Sequence, residues 1–356
     1  MAKVMFVIGT RPEIIKCAST IKNLKKEDKH DIVICHTGQH KEIADNVYKL
    51  FDIKPNYDLK VMSEGQTLNE LLSKMIKRLE VPILVESPDL IVVYGDTHTT
   101  IAGAMSAFYA KIPVLHMEAG GRSGNLTEPY PEEMNRILTD KLSTHFMCQC
   151  KSHMDNLKKE NIANAIEIGN TSIDAAVEIS NKLKIPKEKL IAFTMHRREN
   201  QKEGVFELIK AIKMLSQVFK DYTFVVVTHP NPKTAIPFIE GLKGIKNVKL
   251  VPPLDYKKFI TVMMAAKFIV TDSGGASQES PSLGTPALLL RNVTENPELL
   301  EANVNKLIGT KCDDIYDNCK RLITKKKDYN AMLNKNPYGE GTAYVKAVKE
   351  INKILR

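Results

Sequence analysis

Short apolar, β-rich runs recur along the whole chain, and each is followed by a segment long enough to form a helix. Strands that alternate with helices in this way are typical of a parallel sheet with helices on both faces. The pattern therefore predicts an α/β fold. The first series of predicted strands covers residues 4–8, 32–35, 90–94, 112–117, 146–148 and 165–168.

The same alternation starts again after a linker near residues 170–186, which indicates a second sheet. A chain of 356 residues also exceeds what one hydrophobic core usually organises. We therefore predict two Rossmann-like, doubly wound domains that face a cleft lined by the carboxyl ends of both sheets. The predicted domains are residues 1–172 and 173–339, with a terminal helix at 340–356 packing back on the first. The second series of strands covers residues 190–194, 223–227, 248–251, 268–270, 287–290 and 306–308.

The composition is that of a globular protein, with 43% hydrophobic and 26% charged residues. No apolar run approaches the roughly 18 residues that span a bilayer. Arg11, Glu13 and Lys16 interrupt the apolar N-terminus before it resembles a signal peptide. We therefore expect a cytoplasmic location and no membrane association.

Cysteine spacing and net charge narrow the possible ligands. The six cysteines form no CxxC pair and no His-Cys cluster, so we expect reduced thiols and no metal site. The formal charge of +9 fits nucleic acid, an anionic substrate or solvated lysine-rich surfaces. Lysine-rich segments such as 22–29 and 320–327 contain no interleaved aromatic residues, so we expect no nucleic acid. A small part of the charge would serve a phosphate-bearing ligand.

Two predicted strands of the first domain end at carboxylates. Asp96 closely follows the third strand, and Glu118 directly follows the fourth. Adjacent parallel strands bring their carboxyl ends to one edge of the sheet, which favours a ligand crevice and proton-transfer chemistry. The alternative is that each residue caps the helix that follows. Further carboxylates stand at Glu128, Glu132 and Glu133, the last interpreted as a helix-start residue.

Two turns after predicted strands are suited to binding an anion. Gly9 permits a tight turn after the first strand, and Arg11 places a cation in the crevice, although such turns also serve purely structural ends. In the second domain, Ser273-Gly274-Gly275 would present backbone N–H groups to a phosphate before a helix. Glu279, about one turn into that helix, would accept a ribose hydroxyl. The alternative is a glycine turn before an ordinary helix.

His196 directly follows the first strand of the second domain, in the run HRREN. An imidazole there would donate a hydrogen bond or a proton to a departing phosphate. A lone histidine is more often structural, but this position favours function. His229, at the end of the next strand, would either line the same cleft or belong to a structural turn, and we favour the turn. No GxGxxG motif follows the first strand, so we expect no NAD and no other cofactor.

Eight short motifs occur in order along nearly the whole chain. They are GTRPE at 9–13, TGQH at 37–40, GDT at 95–97, HMEAG at 116–120, PEEMNR at 131–136, HRREN at 196–200, DSGG at 272–275 and PSLGTP at 281–286. Together they resemble the non-hydrolysing UDP-N-acetylglucosamine 2-epimerases. The resemblance implies a glycosyltransferase-B type fold, a homodimer, and interconversion of UDP-GlcNAc with UDP-ManNAc for polysaccharide or glycan synthesis.

The mechanism that this resemblance implies accounts for the residue types. Carbon 2 of the sugar is not next to a carbonyl, so its hydrogen is hardly acidic. In the family, UDP leaves from carbon 1 while a base removes the proton at carbon 2, which gives 2-acetamidoglucal. UDP then adds back, with protonation from the opposite face. Carboxylates suit the positive charge that develops on the ring, and cations suit the departing diphosphate.

The resemblance also implies roles for individual residues. Asp96, Glu118 and Glu132 match the acid and base carboxylates, and His196 matches the histidine that serves the departing UDP. Phe259 would stack on the uracil, unless it belongs to the core of its helix. The other residues expected to bind substrate are Arg11, Lys16, Ser273, Gly274, Gly275 and Glu279.

The chain departs from the family pattern near the residues expected to bind an activator. Many bacterial members bind a second UDP-GlcNAc as an activator, and Gln39, His40 and Arg197 are the candidate residues for that site. However, Glu42 stands where glutamine is common, and Gly65 stands where an arginine is expected. We therefore expect weak or absent activation by substrate.

Three other functions remain open from the sequence. The nearest is a 2-epimerase that acts on another UDP-2-acetamido sugar or releases UDP by hydrolysis. A glycosyltransferase of the same architecture would also bind a UDP-sugar, but it would not need three carboxylates at the reacting sugar. A pure UDP-sugar binding module is disfavoured by the density of proton-transfer groups.

Overall fold

The computed structural model describes residues 1–40, 42–127, 129–197, 200 and 203–356. It divides into two compact units. The first consists of Met1–Ala175 together with Gly341–Arg356, and the second of Ala176–Glu340.

The first unit is built on a seven-stranded parallel sheet with strand order β3-β2-β1-β4-β5-β6-β7. The strands are β1 (Ala2–Ile8), β2 (His30–His36), β3 (Tyr57–Asp58), β4 (Leu90–Tyr94), β5 (Val114–Met117), β6 (His145–Cys148) and β7 (Ala165–Glu167). The helices are α1 (Arg11–Glu27), α2 (Glu42–Phe51), α3 (Leu68–Glu86), α4 (His98–Tyr109), α5 (Glu132–Leu142), α6 (Lys151–Lys159) and α7 (Thr171–Leu183), which continues into the second unit.

The second unit has a six-stranded parallel sheet with order β10-β9-β8-β11-β12-β13. Its strands are β8 (Leu190–Thr194), β9 (Thr223–Val227), β10 (Val248–Val251), β11 (Phe268–Thr271), β12 (Ala287–Leu289) and β13 (Asn305–Leu307). Its helices are α8 (Glu203–Val218), α9 (Pro232–Leu242), α10 (Tyr256–Ala265), α11 (Gly274–Glu279), α12 (Pro297–Glu301), α13 (Cys312–Thr324) and α14 (Lys326–Asn330), with a 3-10 turn at Ser280–Leu283.

The prediction of two doubly wound parallel sheets is confirmed, and the predicted strands are present with ends shifted by up to two residues. Strand β5 begins at Val114 rather than at the predicted Ile112, because Pro113 has no N–H to donate to a neighbouring strand. Strand β3 was not predicted, since a two-residue edge strand carries almost no apolar signal.

The strand register places two polar turns side by side in each unit. In the first, Tyr94 pairs with Met117, so the residues after β4 and β5 share one edge of the sheet. In the second, Thr194 pairs with Thr271, which places the segments after β8 and β11 together in the same way. These two edges carry most of the polar residues singled out in the sequence.

The last helix, α15 (Ala343–Ile354), belongs to the first unit. Asp174 in α7 accepts the backbone N–H groups of Ala343 and Tyr344, at 2.9 and 2.6 Å, and so caps the start of α15. His30 Nε2 lies 2.9 Å from Asn352 Oδ1. None of the described helices is both long and apolar enough to cross a membrane.

Candidate active site

The turn after β1 is held by a buried carboxylate. Glu13 accepts the backbone N–H groups of Gly9 at 2.7 Å and Thr10 at 2.8 Å, while the Thr10 hydroxyl caps α1. Arg11, in the first turn of that helix, is half-buried, and its backbone N–H donates to His40 Nδ1 at 3.1 Å. The conformation of this turn is therefore fixed independently of any ligand.

Gly9 has no room for a side chain, so we expect Gly9→Ala to be strongly destabilising. A methyl group there would lie 1.8 Å from Thr37 Oγ1 and 2.5 Å from Thr99 Oγ1. Those two buried hydroxyls are hydrogen bonded to each other at 2.8 Å, so neither moves aside cheaply. Chemical denaturation should show a free energy of unfolding lower by about 3 kcal/mol. Gly204→Ala is the matched control, since its methyl meets nothing closer than 3.5 Å; equal stability of the two variants would contradict the prediction.

Asp96 and Glu118 lie together at the carboxyl edge of the first sheet, joined by Arg136 of α5. Arg136 Nη1 donates to the Glu118 carbonyl oxygen at 2.6 Å, and Nη2 contacts the Asp96 carboxylate and lies 3.4 Å from Glu118 Oε1. Asn135 Nδ2 donates to the Asp96 carbonyl oxygen at 3.0 Å. Helix α5 thus fixes both carboxylates from one side.

Glu118 is held in its ionised form. Its side chain is 12% exposed, and Lys16 Nζ and Gln149 Nε2 both donate to Oε2, the latter at 2.8 Å. Burial alone would raise its pKa, but the charges of Lys16 and Arg136 outweigh that effect and lower the pKa to about 2. The residue also adopts a left-handed backbone, with φ of 65°. Such a conformation persists only where surrounding contacts hold it.

Glu132 has the opposite electrostatic environment. It is the first residue of α5 and is half-buried. Burial raises its pKa, and the charge of Asp96 raises it further, against the opposing effect of Arg136. Neighbouring carboxyl groups with pKa values moved apart in this way can divide the roles of a charged group and a proton carrier.

The other carboxylates of this region differ from Glu132. Glu133 is buried and accepts the backbone N–H groups of Ser123 and Gly124 at 2.9 to 3.1 Å, which ties down the loop before α5. Glu128 lies outside the described residues.

In the second unit, the buried carboxylate of Asp272 organises the segment that carries His196. It accepts the backbone N–H of His196 at 2.8 Å, that of Arg197 at 2.9 Å and the Asn200 side chain at 3.0 Å. The His196 ring lies 5.4 Å from that of His229, whose Nδ1 accepts the Asn231 N–H. Arg198 and Glu199 of the same motif lie outside the described residues.

The glycine-rich segment opens α11 rather than preceding it. Ser273 is the N-cap residue, its hydroxyl accepting the Ala276 N–H at 3.4 Å, so Gly274 and Gly275 form the first turn. A side chain at Gly275 would meet nothing within 4 Å, which shows open space beside the helix start. Glu279 is buried and is the last residue of the six-residue helix α11, and Phe259 is half-buried in α10.

Arg291 is a candidate ligand-binding residue that was not predicted from the sequence. It is 7% exposed, its Nε donates to the Asp272 carbonyl oxygen at 2.9 Å, and its Nη1 contacts Glu295 at 2.5 Å. Its Nη2 is buried, has no hydrogen-bond partner among the described residues, and lies 3.8 Å from where a Gly274 side chain would begin. The signal was available, because Arg291 follows an apolar run just as Asp96 does.

The candidate regulatory residues lie in both units. Gln39 accepts the Thr99 hydroxyl at 3.0 Å, and His40 contacts the Arg11 backbone. Burial lowers the pKa of His40, and the Arg11 charge lowers it further. In the second unit, Arg197 pairs with Glu295 at 2.7 Å. Within the described ranges, no group of three or more His, Cys, Asp and Glu side chains is placed to hold a metal ion.

Two doubly wound parallel-sheet units, with polar residues gathered at the carboxyl edges of both sheets, define an enzyme of the glycosyltransferase-B fold type. MurG of Acinetobacter baumannii, 12% identical, shares that fold with a TM-score of 0.63. The family model described as UDP-N-acetylglucosamine 2-epimerase matches residues 22–352. The chain belongs to that family, as its motifs predicted, and is therefore an epimerase.

Individual relatives agree with this assignment. The UDP-N-acetylglucosamine 2-epimerase of Escherichia coli K12 is 40% identical over 361 residues, which cover 96% of each chain. The crystal structure of the Neisseria meningitidis enzyme bound to UDP-GlcNAc is 39% identical, with a TM-score of 0.91 over 99% of this chain and 100% of that one. The Methanocaldococcus jannaschii enzyme, in complex with UDP-GlcNAc and UDP, is 31% identical, with a TM-score of 0.83 over 99% of both chains.

Proposed function

We propose that this protein interconverts UDP-GlcNAc and UDP-ManNAc without hydrolysis, by elimination of UDP and its re-addition to 2-acetamidoglucal. The observation that carries the proposal is the group of three carboxylates in the first unit, of which Glu118 is held ionised while the pKa of Glu132 is raised. The similarity to proteins whose structures contain UDP-GlcNAc supports the choice of substrate.

Proton transfer at carbon 2 is assigned to Asp96 and Glu132. Epimerisation removes a proton from one face of the sugar and returns one to the other, so two proton-handling groups are needed. Glu118 is a poor base because its pKa is about 2. Its fixed negative charge instead stabilises the positive charge that builds on the ring as the bond from carbon 1 to UDP breaks.

Binding of the departing UDP is assigned chiefly to residues of the second unit. His196, Arg291 and the N–H groups of residues 273–275 would balance the growing charge on the diphosphate. Glu279 would accept a ribose hydroxyl, and Phe259 would stack on the uracil. The family resemblance also assigns substrate-binding roles to Arg11 and Lys16 of the first unit. The open space beside Gly275 supports this assignment, as does the buried Arg291 Nη2, which has no hydrogen-bond partner in the part of the chain that the structure describes.

Proton NMR in heavy water, with UDP-GlcNAc and no acceptor, cofactor or added metal, tests the function. We expect UDP-ManNAc to appear with deuterium at carbon 2, because the proton returned comes from solvent-exchanged carboxyl groups. Free ManNAc and UDP would instead indicate a hydrolysing 2-epimerase. An unchanged spectrum would reject UDP-GlcNAc as substrate and direct the test to modified UDP-sugars.

We also expect the initial rate to depend hyperbolically on UDP-GlcNAc concentration. Gln39 and His40 are engaged with Thr99 and with the Arg11 backbone, and the sequence has Gly65 where an activator-binding arginine is expected. Rates measured over a hundredfold range of substrate would reveal any sigmoidal onset. A strongly sigmoidal curve that Gln39→Ala or His40→Ala makes hyperbolic would contradict the expectation.

The family resemblance further supports a homodimer, which light scattering coupled to size-exclusion chromatography tests directly. It also supports a role for the product as a source of ManNAc units in surface polysaccharide or other glycans.

A further inference from the structure

Asp140 is a fully buried carboxylate bound by three donors, and none of the roles assigned above includes it. It lies in the third turn of α5. Its Oδ1 is 2.6 Å from His116 Nδ1, and its Oδ2 accepts from Arg122 Nη2 at 2.7 Å and from the Gly120 N–H at 3.3 Å. One carboxylate therefore connects α5 to strand β5 and to the loop that follows it.

His116 extends this connection to the turn that carries Asp96. The ring is fully buried in β5, and its Nε2 lies 2.8 Å from the carbonyl oxygen of Gly95. A carbonyl oxygen only accepts hydrogen bonds, so Nε2 carries a proton and donates it to that contact. Gly95 has a φ of 73°, and its conformation sets the direction in which the chain enters Asp96. Asp140 is therefore connected to the turn at Gly95 through the His116 ring.

Gly120 provides a second connection, to the turn that carries Glu118. Glu118 and Gly120 both have left-handed backbones, with φ of 65° and 80°. A left-handed backbone is sterically unfavourable for Glu118, whereas a glycine adopts it readily. Asp140 holds the N–H two residues beyond Glu118, while Arg136 holds the Glu118 carbonyl oxygen. The unusual backbone of Glu118 is therefore held by two contacts on its C-terminal side.

The charges around Asp140 favour its ionised form, which can accept hydrogen bonds from all three donors. Burial would raise its pKa, but the hydrogen bonds and charges of His116 and Arg122 outweigh burial and lower it. Arg122 is shared with Glu160, at 2.7 Å, so positive and negative groups alternate through the cluster. Such a satisfied buried network orients its members rigidly.

We propose that Asp140 is a positioning residue that sets the geometry of Asp96 through His116 and Gly95, and that of Glu118 through Gly120. This inference deepens the proposed epimerase function and rests on it.

The test compares Asp140→Leu with Asp140→Asn. Leucine has a similar size but accepts no hydrogen bond. Asparagine can turn its Nδ2 toward His116 Nδ1, which then accepts as the neutral ring protonated at Nε2, and its Oδ1 toward Arg122 and Gly120, so it preserves the three contacts. We expect kcat to fall by about 10²-fold in Asp140→Leu, because small misplacements of reacting groups have effects of that size. In Asp140→Asn it should stay within about fivefold of wild type, since the geometry is retained.

The readouts separate positioning from loss of fold. The KM for UDP-GlcNAc and the Kd for UDP should each change by less than about threefold in both variants, because UDP binding is assigned chiefly to the second unit. Calorimetry measures the Kd. If Asp140→Leu gives no folded protein, His116→Asn replaces it. That amide keeps a donor near Asp140 but cannot reach Gly95, and we expect kcat about tenfold lower.

The kinetic results distinguish a failure of the positioning role from a failure of the epimerase function. Wild-type kcat in a folded Asp140→Leu or His116→Asn protein would overturn the positioning role while leaving the epimerase function intact. An equal loss in Asp140→Asn and Asp140→Leu would also overturn it, since the charge rather than the geometry would then matter. If the wild-type protein itself neither forms UDP-ManNAc nor exchanges deuterium, the proposed function fails and the positioning role fails with it.

Discussion

Glu118→Gln should retain the fold and lose nearly all epimerase activity, with kcat lower by about 10³-fold. The side chain keeps its size, and its amide oxygen can still accept from Lys16 and Gln149, but it loses the negative charge that Lys16 and Arg136 stabilise. In the mechanism proposed above, that charge stabilises the ring as the bond to UDP breaks. The measurement is the rate of UDP-ManNAc formation, together with UDP affinity by calorimetry, which should change little.

Glu80→Gln is the matched control for this variant, since Glu80 is an exposed carboxylate on α3. It should have wild-type kcat. If Glu118→Gln loses less than about fivefold, well below the loss expected for a charge aligned with the transition state, the proposed electrostatic role is wrong.

Arg136→Met should both destabilise the protein and abolish turnover. Arg136 is the only cation within 4 Å of the Asp96 carboxylate among the described residues, and it also pairs with Glu118. Removing it leaves two neighbouring carboxylates without their shared counter-charge, one of them largely buried. We expect the free energy of unfolding at pH 7 to fall by about 3 kcal/mol, the size typical for breaking a buried ion pair from one side.

The pH dependence of this loss is a sharper test. In the wild-type protein the pKa of Glu118 is about 2, below its ordinary 4.5, so the folded state binds that proton more weakly than the unfolded state. The resulting stabilisation is complete above pH 4.5 and disappears as the pH falls toward 2. The difference between wild type and Arg136→Met should therefore shrink as denaturation is measured from pH 7 down to pH 3.

Arg78→Met serves as the control, because Arg78 is an exposed arginine bound only to the carbonyl oxygens of Leu59 and Lys60 among the contacts described. Its effect on stability should be small and nearly independent of pH. A pH-independent loss in Arg136→Met would show that its packing, and not its charge, is what stabilises the fold.

The sheets were predictable because apolar strands have a strong local signal. The run at Leu90–Tyr94 is completely buried, and it begins and ends where the sequence predicts. Helix α11 was placed less well, since its start depends on the cap formed by the Ser273 hydroxyl rather than on an apolar pattern. Edge strand β3 escaped prediction because two residues, one of them charged, form no pattern.

The polar sites were predictable only in part, for a related reason. Sequence position places Asp96 and Glu118 at strand ends, and the register of β4 and β5 then brings them together. The sequence positions of Asp96 and Glu118 do not reveal which distant residues contact them. Arg136 lies 40 positions from Asp96, and Asp140 lies 24 positions from His116, so both contacts exist only once the helix α5 has packed. Local patterns carry no information about such partners.

The position of α15 has a consequence for the order in which the protein is made. The second unit is one continuous segment, Ala176–Glu340, whereas the first needs both Met1–Ala175 and Gly341–Arg356. During synthesis on the ribosome, all residues of the second unit emerge before Asp174 receives the N–H groups that it caps. The usual order, in which the N-terminal domain is finished first, is therefore reversed in this chain. The surface of α1 that α15 covers stays exposed to chaperones until residues 343–354 have been synthesised.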